Sequence, residues 1–193
     1  MIKRTVLAIF ISSSSLVGCI TTPTISAQQR PPHWGKALDQ PDNFYQISEH
    51  VFRSEQPNAE LIPQLKTYTI DAVINLRSRN ADLAVLPSTD FQLIHIPINT
   101  WAMNRDDLLQ VMQHIQQAQK LNQKVLIHCY HGSDRTGASV AMYRIIFENW
   151  PTEDALNEMK YGGYGFHPVW MHIEKIFSPE NIKWIRQQLS NPS

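Results

Sequence analysis

Ten consecutive residues, His128-Cys129-Tyr130-His131-Gly132-Ser133-Asp134-Arg135-Thr136-Gly137, combine a nucleophile, a planar cation and two glycines. Cys129 follows an apolar run, Lys124-Val125-Leu126-Ile127, that has the composition of a buried strand. Ala138, Ala141, Met142, Ile145 and Ile146 then recur at helical spacing. The segment between them is therefore a loop that ends on a helix N-terminus. First-turn amides lack internal partners and carry the positive end of the helix dipole, so they attract a dianionic phosphate. The same field favours a thiolate over a thiol. Arg135 offers a two-pronged donor to two phosphoryl oxygens, which a lysine cannot. This grouping specifies in-line attack of Cys129 on phosphorus, with a cysteinyl-phosphate intermediate. Phosphate contacts are expected from the loop residues Tyr130, His131, Gly132, Ser133, Asp134 and Arg135. A metal site built on His128, Cys129 and His131 lacks a second Cys/His cluster to complete it, so neither metal nor cofactor is expected.

HCYHGSDRTG resembles the H-C-x5-R-[ST]-G signature of cysteine-dependent protein tyrosine phosphatases in their dual-specificity form. NFYQISEHVFRSEQP from Asn43, AVINLR from Ala72 and WPTEDALNEMKYGGYGFHPVW from Trp150 are similar to the exported bacterial phosphatases of the TpbA-like group. The resemblance covers roughly residues 43–190 and implies a single α/β domain, a central mixed sheet flanked by helices. It implies a phosphoprotein phosphatase acting on phosphotyrosine, with phosphoserine and phosphothreonine as further substrates, and a monomer. It also places Thr136 where the family uses a hydroxyl to stabilise the departing thiolate. An inositol phosphate or phosphoinositide phosphatase is the enzymatic alternative, although the loop positions Tyr130, Ser133 and Asp134 are not basic. A phosphate-binding pseudophosphatase is the non-enzymatic one.

The proton for the leaving oxygen is less clearly assigned. Family members draw it from an aspartic acid on a loop upstream of the cysteine. Asp106 is the leading candidate here, with Asp134 inside the signature and Asp107 as alternatives. Acidic residues at a helix start also cap helices, which is the structural reading of Asp106 and Asp107.

The elements that must position this loop are visible in part. Phe44 to Ile47 and Val51 to Ser54 have strand character, and Asn58 to Tyr68 that of a short helix capped by Asn58. Ala72-Val73-Ile74-Asn75-Leu76 is a near-continuous apolar run, as in a strand covered on both faces. Arg77 to Asp90 is a polar connection, and Phe91 to Ile98 the next strand. A helix from Asp106 buries Leu108, Val111, Met112, Ile115 and Ala118. Helices are expected from Thr152, as cap, to Gly162-Gly163, from Pro168 to Phe177, and from Pro179 onward.

With 17 basic and 17 acidic residues in 193, the composition excludes a strongly charged nucleic-acid binder. Lys3 and Arg4 precede an uncharged stretch, Thr5 to Gly18, too short to span a bilayer. It closes on Leu16-Val17-Gly18-Cys19, which resembles a bacterial lipobox. Residues 1–18 are then a signal peptide, and Cys19 the lipidated first residue of an exported, periplasm-facing protein; the alternative is a conventional signal peptide cut a few residues later, at Ala27. Loss of Lys3 and Arg4 leaves 15 basic and 17 acidic residues, a formal charge of −2. Residues 19–42 lack any hydrophobic period and are expected to be a flexible tether. Such a coil would hold a domain spanning 43–190 roughly 25–30 Å from its anchor.

Overall fold

The computed structural model describes residues 20–191, so Cys19 and the signal peptide lie outside it. Six strands form one mixed sheet: β1 (Lys36–Asp39), β2 (Phe44–Gln46), β3 (Val51–Ser54), β4 (Ala72–Asn75), β5 (Gln92–His95) and β6 (Val125–His128). Their spatial order is β1-β2-β3-β6-β4-β5. The first three are antiparallel, while β3, β6, β4 and β5 run parallel to their neighbours. β6, the strand that delivers the signature loop, lies between β3 and β4, with all four of its residues buried. That burial on both faces explains its continuous apolar sequence.

Side chains alternate across the sheet and define two cores. Val51, Ala72, Ile74, Val125 and Ile127 face a large core shared with α2 (Arg105–Lys120), α3 (Asp134–Phe147), α4 (Thr152–Tyr161) and α5 (Pro179–Ser190). Phe52, Val73 and Leu126 face a smaller one under α1 (Ile62–Thr67), closed by Leu61, Leu65 and Phe91. α3 is surrounded: Thr136 through Ile146 are all buried. It therefore lacks the polar stripe of a surface helix.

Several boundaries differ from the sequence reading. α1 begins at Ile62, because Pro63 is accepted only in a first turn. Asn58 instead closes the preceding turn, its side chain accepting from the Leu61 amide at 2.9 Å. Thr152 is the first residue of α4, with Pro151 in the cap position. Pro168–Phe177 is a 3₁₀ segment broken at Trp170 (φ −92°, ψ 32°).

The largest correction concerns residues 19–42, expected to be a spacer. Thr22 donates its amide to the Phe166 carbonyl at 2.7 Å, and Ile25 donates to Tyr161 at 3.3 Å. The Arg30 guanidinium donates to the carbonyls of Gly162 and Gly35 and to the Tyr164 hydroxyl. Trp34 is buried, and Lys36–Asp39 is the edge strand of the sheet. The segment is held by backbone hydrogen bonds, by Arg30 and Arg144, and by the Glu158 carboxylate accepting from the Gly35 amide, none of which requires a hydrophobic period.

Candidate active site

The signature loop leaves β6 at Cys129 and re-enters helix at Asp134. Cys129 is 3 % exposed, at the base of the loop. Gly132 takes the left-handed conformation (φ 68°), and a Cβ there would lie 2.4 Å from the Ser54 carbonyl oxygen. Both the turn and the close approach to β3 require glycine.

Four successive carbonyls of the loop are held by donors from outside its curl. The His128 ring contacts the Cys129 oxygen through Nδ1 at 3.1 Å. The Gln56 amide donates to Tyr130 O at 3.0 Å. Asn43 Nδ2 donates to His131 O at 2.8 Å, joined by the Ser133 hydroxyl at 3.3 Å. Arg53 Nη2 donates to Gly132 O. With the oxygens fixed outward, the amides of Tyr130 through Arg135 are left without acceptors among the described residues. Successive amides aimed into one concavity form an anion cradle, reinforced by the α3 N-terminus. Arg135 is braced on one edge, Nη1 donating to Leu76 O (3.1 Å) and Ile98 O (3.2 Å). Its other edge is available to an anion. Thr136 Oγ1 is buried with no hydrogen-bond partner among the described residues.

The supports of this loop come from distant parts of the chain, and sequence inspection missed them. Arg53 on β3 is fully buried, and its guanidinium lies 3.8 Å from the Tyr164 ring centroid. Burial pushes it below the usual arginine range, while Tyr164, Glu158 and Cys129 favour its charge. Its Nε and Nη1 have no partners among the described residues. Asp82, within the polar connection, places Oδ2 2.9 Å from His128 Nε2 and accepts from Gln56 Nε2 at 2.8 Å. Burial opposes its ionisation, but the hydrogen bonds and charge of His128, with help from Gln56 and Asn75, hold the carboxyl below the ordinary range. Gln56 then accepts from Arg77 Nη1 at 2.8 Å, extending the chain His128–Asp82–Gln56–Arg77 to the rim. Tyr164 O accepts from Ser133 Oγ at 2.8 Å and from Asn43 at 3.1 Å.

The three candidate acids have different fates. Asp107 is locked in a capping box, Oδ2 accepting from the Asn104 amide at 2.9 Å, and burial lifts its carboxyl above the usual range. Asp134 is engaged by His167, whose amide and Nδ1 each lie 2.9 Å from its two oxygens. It fastens the loop after α4 to the signature helix. Asp106 is exposed, and its carboxylate makes no hydrogen bond or ion pair among the described residues. It lines a depression with Met103, Arg105 and His172, whereas Arg77, Ser78, Arg79, Tyr130 and Arg135 line the one beside the signature. Asp106 thus lines a different depression from the one beside the signature, and is the one candidate acid with an uncommitted carboxylate among the described residues. α2 starts at Arg105, and its Asn104 cap turns Asp106 toward the neighbouring surface. No cluster of three His, Cys, Asp or Glu side chains suited to a metal occurs among the described residues.

A mixed sheet whose parallel strand β6 ends in an amide cradle, with a cysteine at its base and an arginine at its rim, defines a cysteine-dependent phosphatase domain. Residues 51–181 match the family model of the dual specificity phosphatase catalytic domain, and the chain belongs to that family. It is 33% identical over 140 residues to the dual specificity protein phosphatase TpbA of Pseudomonas aeruginosa, covering 72% of this chain and 63% of that one. The chain thus spans less than two thirds of that relative's length. The crystal structure of P. aeruginosa TpbA superposes with a TM-score of 0.75 at 28% identity, covering 84% of this chain and 99% of the crystallised one. A variant of that protein, solved in complex with pTyr, matches equally well (TM-score 0.75, 29% identity, 84% and 99% coverage). The inositol diphosphatase DSP3 of Arabidopsis thaliana is 27% identical over 134 residues, 65% of this chain and 64% of that one.

Proposed function

We propose that this protein hydrolyses phosphotyrosine in phosphoproteins, with phosphoserine and phosphothreonine as further substrates. The observation that carries the reading is the outward pinning of four loop carbonyls above Cys129. The Cys129 thiolate attacks phosphorus, the ester P–O bond breaks, and the leaving oxygen takes a proton. Water then attacks the cysteinyl phosphate, the P–S bond breaks, and inorganic phosphate departs. In both steps the cradle amides and the free edge of Arg135 neutralise charge on the equatorial oxygens. The unpartnered Thr136 hydroxyl is available to the departing thiolate. Asp106, alone of the three acids in having an uncommitted carboxylate, is the proposed proton source. The similarity to TpbA, a protein solved with pTyr, supports this substrate class.

We further infer an exported lipoprotein anchored at Cys19, a reading supported by the Leu16-Val17-Gly18-Cys19 motif. The test is release of nitrophenolate from p-nitrophenyl phosphate by the full chain. Cys129→Ser should abolish turnover while retaining vanadate binding, since the cradle and Arg135 remain. A wild-type protein that binds vanadate but turns nothing over would establish a pseudophosphatase instead.

A further inference from the structure

The depression beside the signature is lined by three arginines, Arg77, Arg79 and Arg135, with Ser78 and Tyr130, and by no carboxylate. A phosphate monoester accounts for one of them. Arg135, with the loop amides, suffices for a dianion. Neither Arg77 nor Arg79 forms an ion pair among the described residues, and of the acids tied to this site Asp82 is engaged by His128 and Gln56, and Asp134 by His167.

Arg77 is a built feature of this rim. Its Nη1 is fixed by Gln56 Oε1, which Asp82 holds in turn, and its backbone carbonyl receives His95 Nε2 at 2.8 Å. Its guanidinium lies 4.9 Å from the ring centroid of Tyr130, a signature-loop residue that is 55 % exposed. One hydrogen bond and one aromatic face occupy part of a group with five N–H donors. Arg79 is exposed and makes no hydrogen bond or ion pair among the described residues. Structural support therefore explains a share of Arg77 and nothing of Arg79.

We propose that Arg77 and Arg79 form a second anion subsite beside the phosphate cradle, taking a carboxylate or second phosphate that the substrate carries close to the scissile ester. The inference rests on the phosphatase reading and narrows its substrate class to multiply anionic esters. Two sources carry that chemistry: a phosphotyrosine flanked by acidic residues, and a ring bearing several phosphates.

The test compares matched pairs using the full chain at low ionic strength. One pair is a phosphotyrosine peptide with flanking Glu residues and the same peptide with Gln. The other is a myo-inositol polyphosphate and a myo-inositol monophosphate. For one pair, the more anionic member should have a kcat/KM about tenfold higher, the lower end of what hydrogen bonds to charged groups supply. That ratio should fall toward one in 0.5 M NaCl, where the Debye length is well below the ~8 Å of about 0.15 M salt and attraction between exposed charges is screened. It should also fall toward one in the Arg77→Gln, Arg79→Gln double variant. Arg79→Gln alone, at an exposed position with no packing role, should remove part of the preference. The pair that shows the effect identifies the source. Ratios near one for both pairs in the wild type, or ratios unchanged in the double variant, would overturn the subsite. p-Nitrophenyl phosphate separates the two failures: no turnover defeats the phosphatase reading, and normal turnover with ratios of one defeats only the subsite.

Discussion

Asp82 belongs to a polar connection with no apparent role in the sequence, yet Asp82→Ala should be among the most damaging single changes outside the signature. Its side chain is 1% exposed and that of its partner His128 is 0% exposed. Truncation strands His128 Nε2 in the interior, away from water, and removes one acceptor of the half-buried Gln56 amide. Deleting one partner of a buried pair typically costs about 3–5 kcal/mol. That is about a fifth or more of the roughly 5–15 kcal/mol that holds an ordinary domain together. Asp82→Asn keeps the volume and one acceptor, and should cost about 1–2 kcal/mol, the net worth of a hydrogen bond. The sign with pH follows from the depressed Asp82 carboxyl. Its stabilisation is complete above the unfolded-state value of about 3.9, and is lost as pH falls through the lower folded-state value. The gap between wild type and Asp82→Ala should therefore be flat from pH 7 to about pH 5 and narrow below about pH 4. Urea unfolding followed by tryptophan fluorescence at stepped pH measures both features. At a slope of about 2 kcal/mol per M, the midpoint at pH 7 should fall by roughly 1.5–2.5 M. A loss below about 1 kcal/mol, or a gap that widens on acidification, would refute the reasoning.

Arg53→Met should lower kcat by about a hundredfold, the scale of a small displacement of reacting groups, because Gly132 O loses its donor. Stability should change by under about 1 kcal/mol, since an incompletely paired buried cation is removed as well; turnover within twofold of wild type would defeat the carbonyl-pinning account. Gly132→Ala should lose vanadate binding and at least about 2 kcal/mol in a thermal melt, because a left-handed backbone and a clash with Ser54 O coincide. Asp106→Asn should slow phenyl phosphate far more than p-nitrophenyl phosphate, by an extra factor on the order of 10²–10⁴, since only phenolate needs the proton. An unchanged substrate ratio would remove Asp106 from the mechanism.

What was legible in the sequence was local. The nucleophile, the clamp and the glycines stand within ten residues, and β4 and β6 announce themselves by continuous apolar runs that only a strand covered on both faces needs. The supports of the loop left no such trace. Arg53 sits in Val-Phe-Arg-Ser, where an arginine is ordinarily a solvent-facing strand position, and only the fold turns it beneath Gly132. Gln56, Asp82 and His128 are separated by 26 and 46 residues, and single hydrogen bonds over such spans impose no periodicity. Thr22 to Gly35 escaped for the same reason, its attachment resting on a few polar contacts with α4 and the loop after it.

That attachment changes the geometry of an anchored enzyme. If Cys19 carries the lipid, the first hold on the folded body is at Thr22, so the leash is three residues long. Even fully extended it reaches only about 10 Å. The catalytic domain then rides against the bilayer headgroups and cannot sample the space above them. Its accessible phosphoesters lie in a thin layer at the membrane, and encounter becomes a search in two dimensions. Lengthening the leash with a Gly/Ser insert before Thr22 would return the third dimension without touching the catalytic loop.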